Sequence, residues 1–148
     1  MDVIYLNGAS GSGKTMLATE LQEQLDGYYL HIGIDTLIGM MPAKSNDWNT
    51  NEAKDGFSWK EVVLPNGEKG MRITLGEYGQ QINETYREVV LTLLKSGNKV
   101  IIDDVANGND EVTIWRQRFV GYVFWFSVKW TRVIKNKSLL NRLNFLPK

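Results

Sequence analysis

One eight-residue stretch near the N-terminus has the residue types and spacing of a phosphate-binding loop. Residues 8–15 fit the pattern G-x-x-x-x-G-K-[ST] at every fixed position: Gly8, Ala9, Ser10, Gly11, Ser12, Gly13, Lys14 and Thr15. Glycines in such a loop let successive backbone N–H groups turn inward around a phosphate at the positive end of a helix. Lys14 then reaches the β- and γ-phosphates of a nucleotide, and the Thr15 hydroxyl ligates Mg²⁺. The stretch predicts a nucleotide-binding P-loop.

The residues that flank this loop supply the strand and the helix that the motif requires. The apolar run 3–6 precedes it, and leucines at 17, 21 and 25 follow at helical spacing. The alternative is a Gly/Ser-rich turn that matches the pattern by accident. Because a strand and a helix lie on the two sides of the loop, nucleotide binding is the favoured interpretation.

Two neighbouring carboxylates end a second apolar run. Residues 99–105 read as a strand that closes on Asp103 and Asp104. In P-loop proteins a carboxylate in this position holds Mg²⁺, so both residues are candidate metal ligands beside Thr15. The alternative is that they form only the polar end of a buried strand, or cap the segment that follows.

Asp35 is a third candidate for chemistry. It follows the short apolar run 28–32 and precedes a helical pattern that Pro42 ends. Aspartate is a favoured N-cap residue, so capping is the stronger interpretation from this residue alone. His31 is the only histidine of the chain. It lies on the same predicted strand, and we assign it to packing or a local hydrogen bond.

The five tryptophans do not share one spacing. Trp115, Trp125 and Trp130 lie in apolar segments and are predicted core residues. Trp48 and Trp59 lie in a region with little periodicity and are candidates for contact with an acceptor.

Strands and helices alternate along most of the chain. The further predicted elements are an exposed loop over 43–55, a hairpin or a pair of extended pieces over 57–63 and 70–75 around Asn66-Gly67, helices over 77–94 and 109–118, and a strand over 122–128. This order predicts an α/β three-layer sandwich with a parallel sheet, in which ligands bind at the carboxyl ends of the strands. The P-loop, Asp35 and Asp103 with Asp104 all fall at such ends, so we expect them to converge on one crevice.

The bulk composition narrows the classes of function. The 148 residues carry 17 acidic and 17 basic side chains, so their formal charges cancel. The chain therefore lacks the excess of basic residues that is typical of proteins that bind nucleic acid or a membrane surface. With no cysteine, disulfides and thiol chemistry are excluded. No apolar run is long enough to span a bilayer, and the chain enters its first strand without a leader. We expect one domain over residues 1–148 in the cytoplasm.

Several blocks spread over residues 2–129 resemble the chloramphenicol phosphotransferase family of P-loop kinases. Besides the P-loop, they are residues 33–38 with 41–42, residues 101–105, and residues 115–116 with 119–121. The resemblance implies a nucleotide-kinase-like fold and an ATP- and Mg²⁺-dependent transfer of a phosphoryl group to a hydroxyl of a small molecule. In the antibiotic-modifying case, which confers antibiotic resistance, that molecule is chloramphenicol. The resemblance also implies that Asp35 is the catalytic base, with Lys14 stabilising the transferred group.

Residues 131–148 depart from that family. After its fourth strand the family continues with a helix, an Arg-Gly-Asp-Arg lid and a fifth strand, whereas this short tail is basic and weakly periodic and matches none of them. Two alternatives therefore stay open: a nucleotide-binding protein with little or no catalysis, and a P-loop kinase for another small alcohol or nucleoside.

Without a fifth strand, the segment 122–128 is a predicted hydrophobic edge, which favours pairing with another chain. We expect either that the tail covers this edge or that two chains form a homodimer there.

Overall fold

The computed structural model describes residues 1–50, 55–63, 66–105, 109–122 and 124–130. Its elements are β1 Val3–Gly8, α1 Lys14–Gln24, β2 Tyr29–Gly33, α2 Ile34–Met40, a 3₁₀ turn Ala43–Ser45, β3 Phe57–Val63, β4 Lys69–Leu75, α3 Glu77–Lys95, β5 Lys99–Asp104, α4 Asn109–Arg118 and β6 Phe124–Trp130. These elements confirm the predicted alternation of strands and helices, and most bounds agree within two residues. The tail 131–148 and the side chains of Trp125 and Trp130 lie outside the described residues, as does the predicted covering of the sheet edge.

Four parallel strands form the central sheet in the order β2-β5-β1-β6. Apolar side chains of β1 and β5 point alternately to the two faces, because successive strand residues face opposite sides. One face carries Ile4, Leu6 and Ile101 and packs against α1. The other carries Val3, Val100 and Ile102 and packs against α2, α3 and α4. The arrangement is the predicted α/β three-layer sandwich with a parallel sheet.

Helix α4 is fastened to α3 by an aromatic and an ionic layer. The Trp115 ring is buried, as predicted, and its centroid lies 5.3 Å from the rings of both Tyr86 and Phe119. Outside this layer, Arg118 of α4 donates to Glu88 of α3 at 2.6 Å and also to Glu84. None of the described helices is long and apolar enough to cross a membrane.

The predicted hairpin is present, and the segment before it is not exposed throughout. Strands β3 and β4 pair antiparallel, with Gly67 at a positive φ of 83° in the turn between them. Within the predicted exposed loop 43–55, Asp47 is buried and forms a bridge with Ser58. Its side chain accepts the backbone N–H of Asn49 at 3.0 Å and that of Thr50 at 3.1 Å. The polar residues of this loop therefore build local turns, as short polar side chains do. Residues 51–54 of the predicted loop lie outside the described part.

Gly56 and Gly79 let the backbone before β3 approach the start of α3 closely. The Gly79 N–H donates to Asp55 O at 2.8 Å, and the Gly76 N–H donates to Gly56 O at the same distance. A Cβ added to Gly79 would lie 2.6 Å from Gly56 O, which is closer than real contacts allow. The junction therefore requires glycine at position 79.

We expect Gly79→Ala to lower the free energy of unfolding by about 1 to 3 kcal/mol, because the added methyl group forces two backbones apart. Urea unfolding measures the change. Gly39→Ala in α2 is the matched control, since nothing lies within 4 Å of its Cβ position, and it should leave stability equal or slightly higher. Equal destabilisation by both substitutions would contradict this account of the junction.

Candidate nucleotide-binding site

The P-loop lies between the end of β1 and the start of α1, as its sequence predicts. Gly11 and Gly13 have positive φ angles of 73° and 93°, a backbone region that glycine enters without steric cost. Gly13 is also the N-cap of α1, and no side chain caps this end of the helix. The first N–H groups of α1 are thus available to an anion at the positive end of the helix.

Lys14 lies folded onto the loop from which it projects. Its side chain is 6% exposed, and Nζ donates to Gly8 O at 2.9 Å and to Ala9 O at 3.0 Å. Nζ also lies 3.7 Å from Asp103 Oδ1. An ammonium group has three donors and a flexible stem, so it can exchange carbonyl partners for phosphate oxygens without leaving the loop.

Thr15 and Asp103 form the centre of the site. Thr15 Oγ1 donates to Asp103 Oδ2 at 2.7 Å, although the two residues are 88 positions apart in the chain. Burial acts to raise the pKa of Asp103, but the polar hydrogens of His31 and Thr15 and the charge of Lys14 outweigh it and hold this pKa below its ordinary value. Asp103 is therefore a carboxylate at neutral pH. A hydroxyl oxygen and a carboxylate oxygen side by side fit a small hard cation such as Mg²⁺.

The structure places Asp104 on the opposite face of β5, away from Thr15. Asp104 is 3% exposed, and Oδ2 accepts the Tyr5 hydroxyl at 2.7 Å and Trp115 Nε1–H at 2.9 Å. Oδ1 accepts the backbone N–H of Val105 at 2.9 Å. Burial raises the pKa of this carboxyl group above its ordinary value. The geometry does not support the expected pair of metal-holding carboxylates, because adjacent strand residues face opposite sides. In the parts of the chain that the structure describes, no group of three acidic, histidine or cysteine side chains could hold a metal.

Asp35 stands beside the Asp103 end of the sheet, in the first turn of α2. The last residue of β2, Gly33, pairs with Asp103, so Asp35 follows that pair by two residues. Its side chain is exposed. The N-cap of α2 is Gly33, without a side-chain bond, so the capping interpretation of Asp35 is wrong.

His31 belongs to the site, although the sequence indicated no role for it. Its Nε2 lies 3.6 Å from Asp103 Oδ2, just beyond hydrogen-bond distance. His31 lies two residues before the end of β2, on the face of the sheet that carries the Asp103 side chain. The missing information was that β2 lies next to β5.

Trp48 and Trp59 contact each other at the base of the hairpin. Their ring centroids lie 6.0 Å apart, and Trp48 also stacks on Phe57 at 6.5 Å. Trp48 is 40% exposed. These ring contacts join Trp48 to the hairpin, and contact of either tryptophan with an acceptor stays a prediction.

Comparison with known proteins places this site in context. The sequence profile of the family described as "Chloramphenicol phosphotransferase-like protein" matches residues 1–142. Two curated relatives from strains of Mycobacterium tuberculosis, each named "Putative O-phosphotransferase", are 28% identical over 103 residues. That match covers 70% of this chain and 45% of each relative, so the chain spans less than half of their length. Among solved structures, a chain of the Pnkp1/Rnl/Hen1 complex has a TM-score of 0.46 at 17% identity, over 93% of this chain and 47% of its own.

The two neighbouring aspartates should respond differently to the same substitution. We expect Asp103→Asn to weaken Mg²⁺-dependent nucleotide binding by about tenfold or more, because it removes a charged oxygen donor at the metal position. Asp104→Asn should leave that dependence unchanged and instead lower the free energy of unfolding by about 1 to 3 kcal/mol, because an amide NH₂ then faces buried donors.

Titration with a fluorescent ATP analogue at several Mg²⁺ concentrations, together with urea unfolding, separates the two effects. A loss of Mg²⁺ dependence in Asp104→Asn with normal stability would show that this carboxylate, and not Asp103 alone, serves the metal.

Proposed function

This chain belongs to the chloramphenicol phosphotransferase-like family, and we propose that it moves the γ-phosphoryl group of ATP to a hydroxyl of a small molecule. The observation that carries the proposal is the 2.7 Å hydrogen bond from Thr15 Oγ1 to Asp103 Oδ2 at the start of α1. This bond holds two oxygen atoms that can ligate Mg²⁺ beside the P-loop lysine. P-loop proteins use this combination of groups for phosphoryl transfer.

In this proposal the P-loop and the start of α1 bind the nucleotide. The free N–H groups at that helix end, with Lys14, would hold the β- and γ-phosphate oxygens. Thr15 and Asp103 would hold Mg²⁺. The positive charge of this ion would offset the negative charge of the phosphate oxygens. Lys14 would exchange its bonds to Gly8 O and Ala9 O for phosphate contacts.

The transfer step needs a group that accepts a proton from the acceptor alcohol. Asp35 is the candidate, because its side chain is exposed and it follows by two residues the Gly33–Asp103 pair at this end of the sheet. As the acceptor oxygen bonds to the γ-phosphorus, its proton passes to Asp35. The bond from the γ-phosphorus to the bridging oxygen breaks, and ADP leaves with the electron pair. Lys14 stabilises the negative charge that is shared among the oxygens of the transferred group.

The acceptor class follows from the family and not from an identified pocket. We propose a small hydroxylated molecule, with chloramphenicol as one compound to test. Trp48 is half-exposed at the hairpin base and offers an aromatic face to such a molecule. Nucleotide binding with little turnover is the competing outcome of the same experiment.

We expect Asp35→Asn to reduce acceptor-stimulated ADP release by about 10²- to 10⁴-fold while ATP affinity stays nearly unchanged, because it removes a proton acceptor and no phosphate contact. A coupled assay with Mg²⁺-ATP, chloramphenicol and a panel of alcohols measures the release, and Lys14→Ala supplies the blank. Asp110→Asn is the matched control, since Asp110 also lies exposed in the first turn of a helix.

The assigned role of Asp35 is wrong if Asp35→Asn and Asp110→Asn reduce ADP release equally. It is also wrong if Asp35→Asn lowers ATP affinity as much as turnover. ATP binding without stimulation by any acceptor would favour the binding-only alternative.

A further inference from the structure

We infer that His31 is a positioning residue whose Nε2–H holds Asp103 in the orientation that ligates Mg²⁺. The inference rests on the proposed function, because it assigns a second role within the same site. Its basis is the 3.6 Å approach of His31 Nε2 to Asp103 Oδ2. With a proton on Nε2 this approach is attractive, whereas a bare nitrogen would set a lone pair against a carboxylate.

The pairing of β2 with β5 brings His31 to the side of Asp103. Gly33 pairs with Asp103 across the two strands, and a Cβ at Gly33 would lie 3.6 Å from the Cβ of Asp103 and 3.0 Å from its backbone oxygen. A side chain at position 33 would therefore crowd the backbone of Asp103. His31 lies two residues before Gly33 on β2, so its side chain is on the same face of the sheet as that of Asp103.

The imidazole nitrogen has no other partner in the described part of the chain. His31 Nε2 is buried from water and makes no hydrogen bond there. A buried N–H without an acceptor is unfavourable, and a shift of a few tenths of an ångström toward Asp103 Oδ2 would satisfy it. The Asp103 carboxylate is therefore the acceptor that we assign to His31 Nε2–H.

His31 becomes more important once a nucleotide binds. Asp103 Oδ1 faces Lys14 Nζ at 3.7 Å, and Oδ2 accepts from Thr15. When Lys14 turns to phosphate, Thr15 and His31 are the side chains among the described residues that are left to orient the carboxylate. An imidazole suits this supporting role better than direct ligation, because Mg²⁺ prefers oxygen. Donors placed behind a ligand in this way commonly tune metal affinity.

The experiment measures the Mg²⁺ concentration at half-maximal binding of a fluorescent ATP analogue to the full chain. We expect His31→Ala to raise that concentration by about tenfold or more, with nucleotide affinity in EDTA unchanged. His31→Gln should restore most of the loss, because its amide nitrogen can replace Nε2 as a donor. Leu30→Ala on the same strand is the matched control, since Leu30 is exposed. His31→Leu fills the space without a donor and replaces His31→Ala if the smaller residue prevents folding.

An unchanged Mg²⁺ dependence in both donor-free variants would overturn the inference. So would equal shifts in the leucine and glutamine variants, because a merely structural histidine would not be rescued by a donor. If the wild-type chain binds no nucleotide with or without Mg²⁺, the proposed function fails and the inference falls with it. Wild-type Mg²⁺-dependent binding that the His31 variants leave intact removes the inference alone.

Discussion

The hydrogen bond from Thr15 to Asp103 fixes the geometry on which the rest of the site depends. It can form because β1 and β5 are parallel neighbours, so the residues that follow one strand meet the residues that end the other. The positions of Lys14, His31 and Asp35 are all defined relative to this carboxylate. Lys14 faces one of its oxygens, His31 faces the other, and Asp35 follows the strand residue that pairs with it. One tertiary contact therefore gathers groups from three separate segments.

The residue next to Asp103 does different work. Asp104 points into the core, where Tyr5 from β1 and Trp115 from α4 donate to the same oxygen. This buried trio fastens α4 to the sheet, and the Trp115 ring packs 5.9 Å from that of Tyr5. Burial of a carboxyl group is costly unless its oxygens are hydrogen-bonded, and here both of them accept. At the end of β5, Asp103 thus belongs to the candidate site, whereas Asp104 stabilises the contact between α4 and the sheet.

The sequence predicts this fold well because its strongest signals are local. The P-loop pattern fixes a strand, a turn and a helix, and the Asn66-Gly67 pair marks the hairpin turn. The long helix follows from apolar spacing alone. The prediction that Asp103 and Asp104 act as a pair overlooked the alternation of side chains along a strand, which already separates the two. His31 could not be placed, because its role depends on the order of strands in the sheet, and sequence periodicity does not specify that order. The same limit applies to Asp47, whose burial follows from a bridge to β3.

We propose that this chain transfers a phosphoryl group to an alcohol. The most direct test uses ATP carrying an oxygen isotope in its γ-phosphoryl group, incubated with the chain, Mg²⁺ and hydroxylated compounds, and followed by mass spectrometry of the products. We expect a labelled phosphate ester of at least one compound, formed by the wild-type chain and absent with Lys14→Ala. Label that stays in ATP, or appears only in inorganic phosphate, would contradict it.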